Sequence, residues 1–307
     1  MTPDLKAKLL DLTRVPLPLP GGGATVERWL RLAQNCDYDI AIGRLVEAHA
    51  DADAILHEIV GQRVEARQLW GVWAAEPPHP LLTATRQSGR WRLDGTKLWC
   101  SGASICTHAL VTASDGGESR LYAVDLNQTG VRPRKGTWVN AGMRVSDTEP
   151  VDFTNVQAEP VGDTTSYLDR PGFWYGAAGV AACWYGGAVA VAEPLKARLH
   201  KANSHQLAHM GAIDAALAGA RWALVGAAGE VDNDPHDHAR QARIRALRVR
   251  TIVENAATQV IDGVGRALGA GPLCQDERHA QRVADLSIYV RQSHAESDLA
   301  ALGGLLA

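Results

Sequence analysis

Residues 89–104 read GRWRLDGTKLWCSGAS. Trp91 and Leu93 alternate with Arg90, Arg92 and Asp94, the two-residue period of a half-buried strand. Asp94-Gly95 is a hairpin signal, because a type I′ turn needs positive φ at both central residues. The stretch is therefore expected to turn there and return through Lys97, Leu98, Trp99, Cys100 and Ser101 to Gly102. Such a hairpin brings a tryptophan and a hydroxyl to one place. There they would wall a flat ring system or pack a core, the commoner fate of a strand tryptophan.

The flanking sequence extends the same pattern. LWGVWAAEPP (69–78) has the aromatic, apolar run of a buried strand stopped by two prolines. ALVTA (109–113), a DGG turn and RLYAVDL (120–126) read as a second hairpin. VRPRKGTWV and EPVDFTNVQ add further short strands. This spacing predicts an all-β region over 69–160, of barrel or sandwich type.

On either side the period changes. Ile42, Leu45, Val46, His49, Ala52, Leu56 and Ile59 recur at three and four, so helix is expected up to about Val60. His49 on that face is read as a packed histidine with one hydrogen bond, with a ligand role as the alternative. Ahead of it PLPLPGGG (16–23) suits neither helix nor strand and reads as a surface arm. Beyond Pro160 one helical stripe runs through Leu207, Met210, Ile213, Leu217, Ala220 and Leu224. A second runs through Val249, Ile252, Val253, Ala256 and Val260. A last helix is expected from about Asp276, carrying Val283, Leu286, Val290 and Leu299. The predicted fold class is thus α+β and multidomain: N-terminal helices (1–68), a middle β-barrel or sandwich (69–160) and a C-terminal helical bundle (161–307).

Composition restricts the function. The 307 residues are 46% apolar and 21% charged with a net charge of −3, which offers no basic field for nucleic acid. Five cysteines without CxxC pairing, and an N-terminus lacking the apolar core of a signal peptide, point to a reducing cytoplasm. Gly172–Ala192 is uncharged for 21 residues, a bilayer-spanning length, but it holds five glycines and few Leu, Ile or Phe. It is read as a helix buried on all sides, whose small residues let neighbours approach, and no membrane span is expected. No GxGxxG, P-loop or GxSxG context appears. DNDPHDH (232–238) is read as a solvated turn rather than a metal loop, and no metal is expected.

The order and spacing of several motifs resemble the acyl-CoA dehydrogenase superfamily of flavoproteins from about Leu69 to Leu302. They are Ala75-Glu76-Pro77, GRWRLDGTKLWCSGAS, Gly142-Met143-Arg144-Val145-Ser146-Asp147-Thr148, Arg170-Pro171, Gln259 with Gly263, and Arg282 with Asp285. The resemblance implies a middle β-domain binding FAD, in a homodimer or homotetramer whose C-terminal helices contact the neighbour's cofactor. It implies that Trp99 flanks the isoalloxazine ring, that Ser101 hydrogen-bonds near flavin N5, and that Ala74 and Ala75 lie along the ring. Gln259 and Gly263 would approach the adenosine end of the other subunit's FAD. The implied activity is oxidation of the CH–CH group of an acyl thioester or related substrate, with an electron-transfer partner or flavin reductase.

The chain departs from the family where the base should be. That reaction needs a carboxylate near the substrate α-carbon, and Ser293 falls on the position that many members fill with glutamate. Asp169, before Arg170, matches an alternative glutamate position but is one methylene shorter. It also reads as a helix N-terminal carboxylate. His294, adjacent to Ser293, is a second candidate; Glu296 is the third, and reads as a solvated side chain. The Gly-Ser that normally follows Thr-Glu-Pro is Pro80-Leu81. Two further readings therefore stand beside the dehydrogenase: a non-catalytic or flavin-binding-only homologue, and a flavin monooxygenase, whose chemistry does not require that base.

Overall fold

The computed structural model describes residues 3–75 and 82–307. They form helices α1 (Pro3–Leu12), α2 (Thr25–Tyr38) and α3 (Ile40–Val60), then strands β1 (Trp70–Trp73), β2 (Leu82–Gln87), β3 (Arg90–Cys100), β4 (His108–Asp115), β5 (Glu118–Asp125), β6 (Val131–Pro133) and β7 (Glu149–Pro160). Helices follow to the end: α4 (Ser166–Asp169), α5 (Pro171–Lys196), α6 (Ser204–Asn233), α7 (Ala242–Leu268), α8 (Gly271–Gln275), α9 (Glu277–Tyr289) and α10 (Glu296–Leu306). The order of helices, strands and helices is the one the hydrophobic periods predict. Packing divides the chain into two compact units, Met1–Pro16 with Leu45–Val139 and Arg144–Phe173, and Leu17–Arg44 with Asn140–Met143 and Trp174–Ala307.

The first unit holds a barrel. β2, β3, β7, β5 and β4 pair in turn, and β4 meets β2 again through the parallel bridge of Thr83 with Ser114, closing the ring. β1 adds to β4 in parallel and β6 adds to β7. The strand period sorts side chains between two cores. Ala109, Val111, Ala113, Tyr122 and Val124 join Leu93 and Phe153 in one cluster. Leu110 and Leu121 join Ile55 and Leu56 of α3 in the other. That is why ALVTA shows no alternation of buried and exposed positions.

The expected hairpin lies elsewhere. β3 runs unbroken from Arg90 to Cys100, and the turn is Ser88-Gly89, with φ of 50° and 83° between the paired residues Gln87 and Arg90. Asp94-Gly95 forms a β-bulge instead, where the β3–β7 register shifts and Gly95 takes φ 124°. Both sites offer a small polar residue followed by a glycine that takes positive φ, so turn chemistry alone did not separate them. The carboxylate of Asp94 accepts the Asn155 N–H at 2.8 Å, which fixes the bulge to β7.

The second unit is helical and rests on close backbone approaches. A Cβ on Gly186 of α5 would lie 1.9 Å from the Ala33 carbonyl oxygen of α2. The α5 segment has the length and composition of a membrane span, but most of it is buried by protein. Gly142 likewise approaches α9: a Cβ there would meet the Ala284 oxygen at 2.2 Å. Arg250 of α7 lies over the Trp184 ring at 4.6 Å and donates to the Ala177 and Gln292 carbonyls. Its guanidinium thus ties α5, α7 and the turn after α9.

Gly186→Ala is expected to lower the urea-unfolding free energy by about 1–3 kcal/mol, because only backbone stands in the way of the new methyl. Gly226→Ala in α6, which meets nothing within 4 Å, should instead gain roughly 0.5–1 kcal/mol from helix propensity. Equal effects at both positions would remove the close-approach account.

Two further expectations need correction. The last helix does not carry Leu299: α9 ends at Tyr289, a short turn follows, and Leu299 is an exposed residue of the separate α10. The break is local. Ala295 takes φ 46°, the Ser293 hydroxyl accepts the Ala295 N–H, and the Asp298 carboxylate accepts the His294 N–H. The α6 stripe is likewise only partly covered, with Ile213, Ala220 and Leu224 buried and Leu207 exposed.

Candidate functional site

The site is best defined in the first unit, where three of the sequence motifs meet. β3 ends at Cys100, and the next four residues zip onto the turn after Arg144. Gly102 N–H donates to Ser146 O at 2.8 Å and Ala103 N–H to Asp147 O at 3.1 Å. The Ser104 N–H and hydroxyl both donate to the Asp147 carboxylate. Gly102 is required there: its φ is 71°, and a Cβ would lie 2.6 Å from the Cys106 sulfur. From β1, the Trp73 indole N–H donates to Ser101 O at 2.9 Å.

This junction builds a chain of hydroxyls. Ser101 Oγ lies 2.9 Å from Thr148 Oγ1, which lies 2.8 Å from Ser146 Oγ, and all three residues are buried. A hydroxyl both donates and accepts, so the chain presents either role at Ser101 according to its polarisation.

Trp99 stands beside it in an unusual state. Its φ is 60°, the left-handed region that a bulky side chain rarely adopts. The residue is 61% exposed although Lys97 and Cys100 on either side of it are buried. The conformation costs about 1–3 kcal/mol and persists only where neighbours impose it. Here they do. The β3–β7 register shifts between Lys97 and Cys100. Lys97 is buried with its ammonium donating to Thr112 O at 2.8 Å and Thr112 Oγ1 at 2.7 Å, and Cys100 is fully buried. The strand is anchored on both sides of Trp99, and the ring is turned outward between the anchors. Burial pushes the Cys100 thiol up, so it is inert.

Two residues not singled out in the sequence complete this rim. Trp138 packs edge-to-face on Trp99, with ring centroids 6.2 Å apart. Glu149 accepts the Gly136 and Thr137 N–H groups at 2.9 and 3.0 Å and the Thr137 hydroxyl as well. Burial would raise the Glu149 pKa, but these donors hold it below the usual carboxylate range. A tryptophan in a polar KGTWV loop was the available signal; the Glu149 contact, between residues 12 and 13 apart, left none.

The other expected residues fall as follows. Ala74, next to Trp73, is half-buried and Ala75 is exposed; Glu76, Pro77, Pro80 and Leu81 lie outside the described residues. Asp169 is the exposed last residue of α4, and its N–H closes a turn on Thr165 O. The neighbouring Arg170 is buried and ion-paired to Glu58 at 2.6 Å. In the second unit, Gln259 donates to Ala212 O at 3.2 Å, and a Cβ on Gly263 would touch Ile213. Within one chain both residues therefore serve the α6–α7 contact. His294 is exposed and lies 3.3 Å from Asp298. Arg282 donates to the Ala190 and Asp37 carbonyls, and Asp285 accepts the Met143 N–H. The Arg282–Asp285 signature is thus a pair of structural clamps. In the 232–238 turn, Asp232, Asp234 and Asp237 spend their carboxylates on backbone N–H groups.

No protein-family model matches the chain, and no curated protein matches it. Solved structures do. The chain is similar to methanesulfinate monooxygenase MsuC from Pseudomonas fluorescens, at TM-score 0.78 and 19% identity over 99% of this chain and 96% of that one. It is similar to dibenzothiophene monooxygenase TdsC from Paenibacillus sp. A11-2, at TM-score 0.76 and 19% identity over 99% and 96%. It is also similar to butyryl-CoA dehydrogenase from Megasphaera elsdenii, at TM-score 0.78 and 16% identity over 100% and 99%. A closed β-barrel between N- and C-terminal helices, matched end to end at such low identity, defines a fold. The chain has the acyl-CoA dehydrogenase fold.

Proposed function

We propose that the protein is a flavin-dependent oxidoreductase, with Trp99 as one wall of the isoalloxazine site and Ser101 as its hydrogen-bonding group. The observation that carries this is Trp99 itself, an exposed indole held in a costly backbone conformation beside a buried hydroxyl chain. These residues suit a flat, heteroatom-edged ring: an apolar face to stack on, and a hydroxyl able to donate or accept at its edge. Bound flavin would supply hydride and electron transfer; the protein supplies placement and polarity. The resemblance implies FAD, whereas TdsC is solved with FMN and indole. Separate titrations with FAD and FMN, read by the flavin absorption bands after gel filtration, test the reading. Stoichiometric retention of either supports it; a protein that stays colourless with both removes it.

Of the two reactions, oxygen-dependent monooxygenation is the better supported by the side chains. Ser293 caps a turn, Asp169 is exposed on a short helix, and His294 is exposed beside Asp298. None is a buried carboxylate suited to taking an α-proton from a thioester. The dehydrogenase reading keeps Asp169 and His294 as its bases. The whole-length likeness to butyryl-CoA dehydrogenase favours it. A homo-oligomer is part of the proposal. Leu207, Trp222 and Val225 leave an apolar face of α6 exposed, suited to a second copy whose Gln259 and Gly263 would approach the cofactor. The proposed setting is cytoplasmic, with a flavin reductase or electron-transfer partner and a small-molecule substrate.

A further inference from the structure

The loop that carries Trp138 is fastened by two carboxylates of one strand. Arg134 forks onto Asp152 at 2.7 and 2.6 Å and also reaches Thr96 Oγ1 at 3.1 Å. Its own N–H donates to Pro150 O at 2.8 Å. Two and three residues beyond Arg134, Glu149 takes the next turn through the Gly136 and Thr137 N–H groups. Residues 134–137 are thus tied at both ends to the start of β7, and Trp138 is the next residue out.

Glu149 is also the register partner of Cys100, the residue immediately after Trp99. One residue therefore connects both indoles. Its backbone pairs beyond the bulge that turns Trp99 outward, and its side chain closes the turn that delivers Trp138. An exposed tryptophan has many rotamers in water; an orthogonal aromatic partner on a fastened loop selects among them. Without the clasp, Gly136, with φ 81° and no side chain, would let the loop swing and release Trp138.

We propose that Glu149 and Trp138 are positioning residues: the Glu149 clasp holds Trp138 edge-on against Trp99, and this pair sets the ring plane on which a planar heteroaromatic ligand, a flavin on the reading above, stacks. Only the last step rests on that reading.

The test uses the full-length chain and the substitutions Trp138→Leu, Trp138→Phe and Glu149→Gln, with thermal melting as a check of folding. The first readout, in flavin-free protein, is the far-ultraviolet circular-dichroism couplet of the indole pair, taken as a difference from the parent. The second is affinity for FMN and FAD. Trp138→Leu should abolish the couplet and weaken flavin by about three- to tenfold, the worth of an edge-to-face pair. Trp138→Phe should also lose the couplet but restore affinity to within about threefold of the parent, because a phenyl edge remains. Glu149→Gln keeps one acceptor oxygen of two and turns an NH2 toward at least one of the three donors. It should diminish the couplet and weaken flavin as Trp138→Leu does. A couplet unchanged by Glu149→Gln in folded protein overturns the clasp. An affinity unchanged in all three variants overturns the positioning role while leaving a flavin protein. If no protein binds flavin, yet the couplet follows the predicted order, the flavin reading falls and the clasp stands. Should Glu149→Gln fail to fold, the contrast between Leu and Phe at 138 decides the positioning role.

Discussion

Trp99→Ala is expected to weaken flavin binding by roughly ten- to a hundredfold, since stacking of a flat heteroaromatic ring on a tryptophan is worth about 1–3 kcal/mol. The fold should barely register the change. The side chain is mostly exposed, so little burial is lost, and its contact with Trp138 is worth only about 0.5–1.5 kcal/mol. Trp99→Gly separates the two effects further. Glycine accepts a φ of 60° freely, so relief of about 1–2 kcal/mol of backbone strain offsets the lost Trp138 contact. Flavin affinity should drop as in the alanine variant while the melting temperature holds or rises. A residue that gains stability when removed yet costs ligand affinity is one kept for function. Loss of stability without loss of affinity would make Trp99 a packing residue, the ordinary reading of a strand tryptophan.

The second large effect is acid sensitivity centred on His49. Burial pushes its pKa down to about 4 from the ordinary 6.5, and its Nδ1 accepts the Trp70 N–H at 3.3 Å, which requires the neutral ring. The unfolded chain takes up a proton near the ordinary value while the folded chain does not. The stability His49 contributes is therefore complete above about pH 6.5 and is lost as pH falls toward 4. At 1.36 kcal/mol per pKa unit the loss amounts to about 3 kcal/mol. Asp53, close by, is opposed by burial but held below the usual carboxylate range by the Arg63 fork and the Val64 N–H. Its contribution fades only at lower pH. His108 and His279 are also lowered by burial and add in the same direction as His49. His49→Gln retains an acceptor for Trp70 without the titration. Between pH 7 and 4.5, urea unfolding of the parent should lose about 2–3 kcal/mol more than that of the variant. Parallel losses would place the acid sensitivity elsewhere.

The sequence carried the order of elements because hydrophobic period is a property of which face meets the core, and that survives at very low identity. It located the motifs that meet at the junction after β3, since Gly102, Ser101 and the hydroxyls of Ser146 and Thr148 need those residue types to close it. It misplaced the turn in that same stretch. Ser88-Gly89 and Asp94-Gly95 carry equivalent chemistry, and only pairing with β7 distinguishes a turn from a bulge. Trp138 and Glu149 were not visible because their roles come from contacts across the barrel rim. The break at Ser293–Ala295 was hidden because one left-handed alanine, rather than a proline or glycine, ends the helical path.

The motif residues of the helical unit have physical roles as well. Gln259, Gly263, Arg282 and Asp285 all do structural work within one chain, in helix packing and backbone capping. Their presence follows from the fold and says nothing of turnover. Ser293 accepts a backbone N–H, the role of a cap. The residues proposed to hold a flat ring, an exposed indole beside buried hydroxyls, are therefore present, while a buried proton acceptor for thioester chemistry is not among the side chains the sequence nominated.

Anaerobic mixing of the flavin-loaded protein with a panel of acyl-CoA thioesters, followed by absorbance of the oxidised flavin, tests this division most directly. The account predicts no bleaching by any thioester, bleaching by a flavin reductase with a reduced nicotinamide, and recovery of the colour when oxygen is admitted. Rapid bleaching by an acyl-CoA, lost on Asp169→Asn or His294→Gln, would contradict it and establish a dehydrogenase with a relocated base.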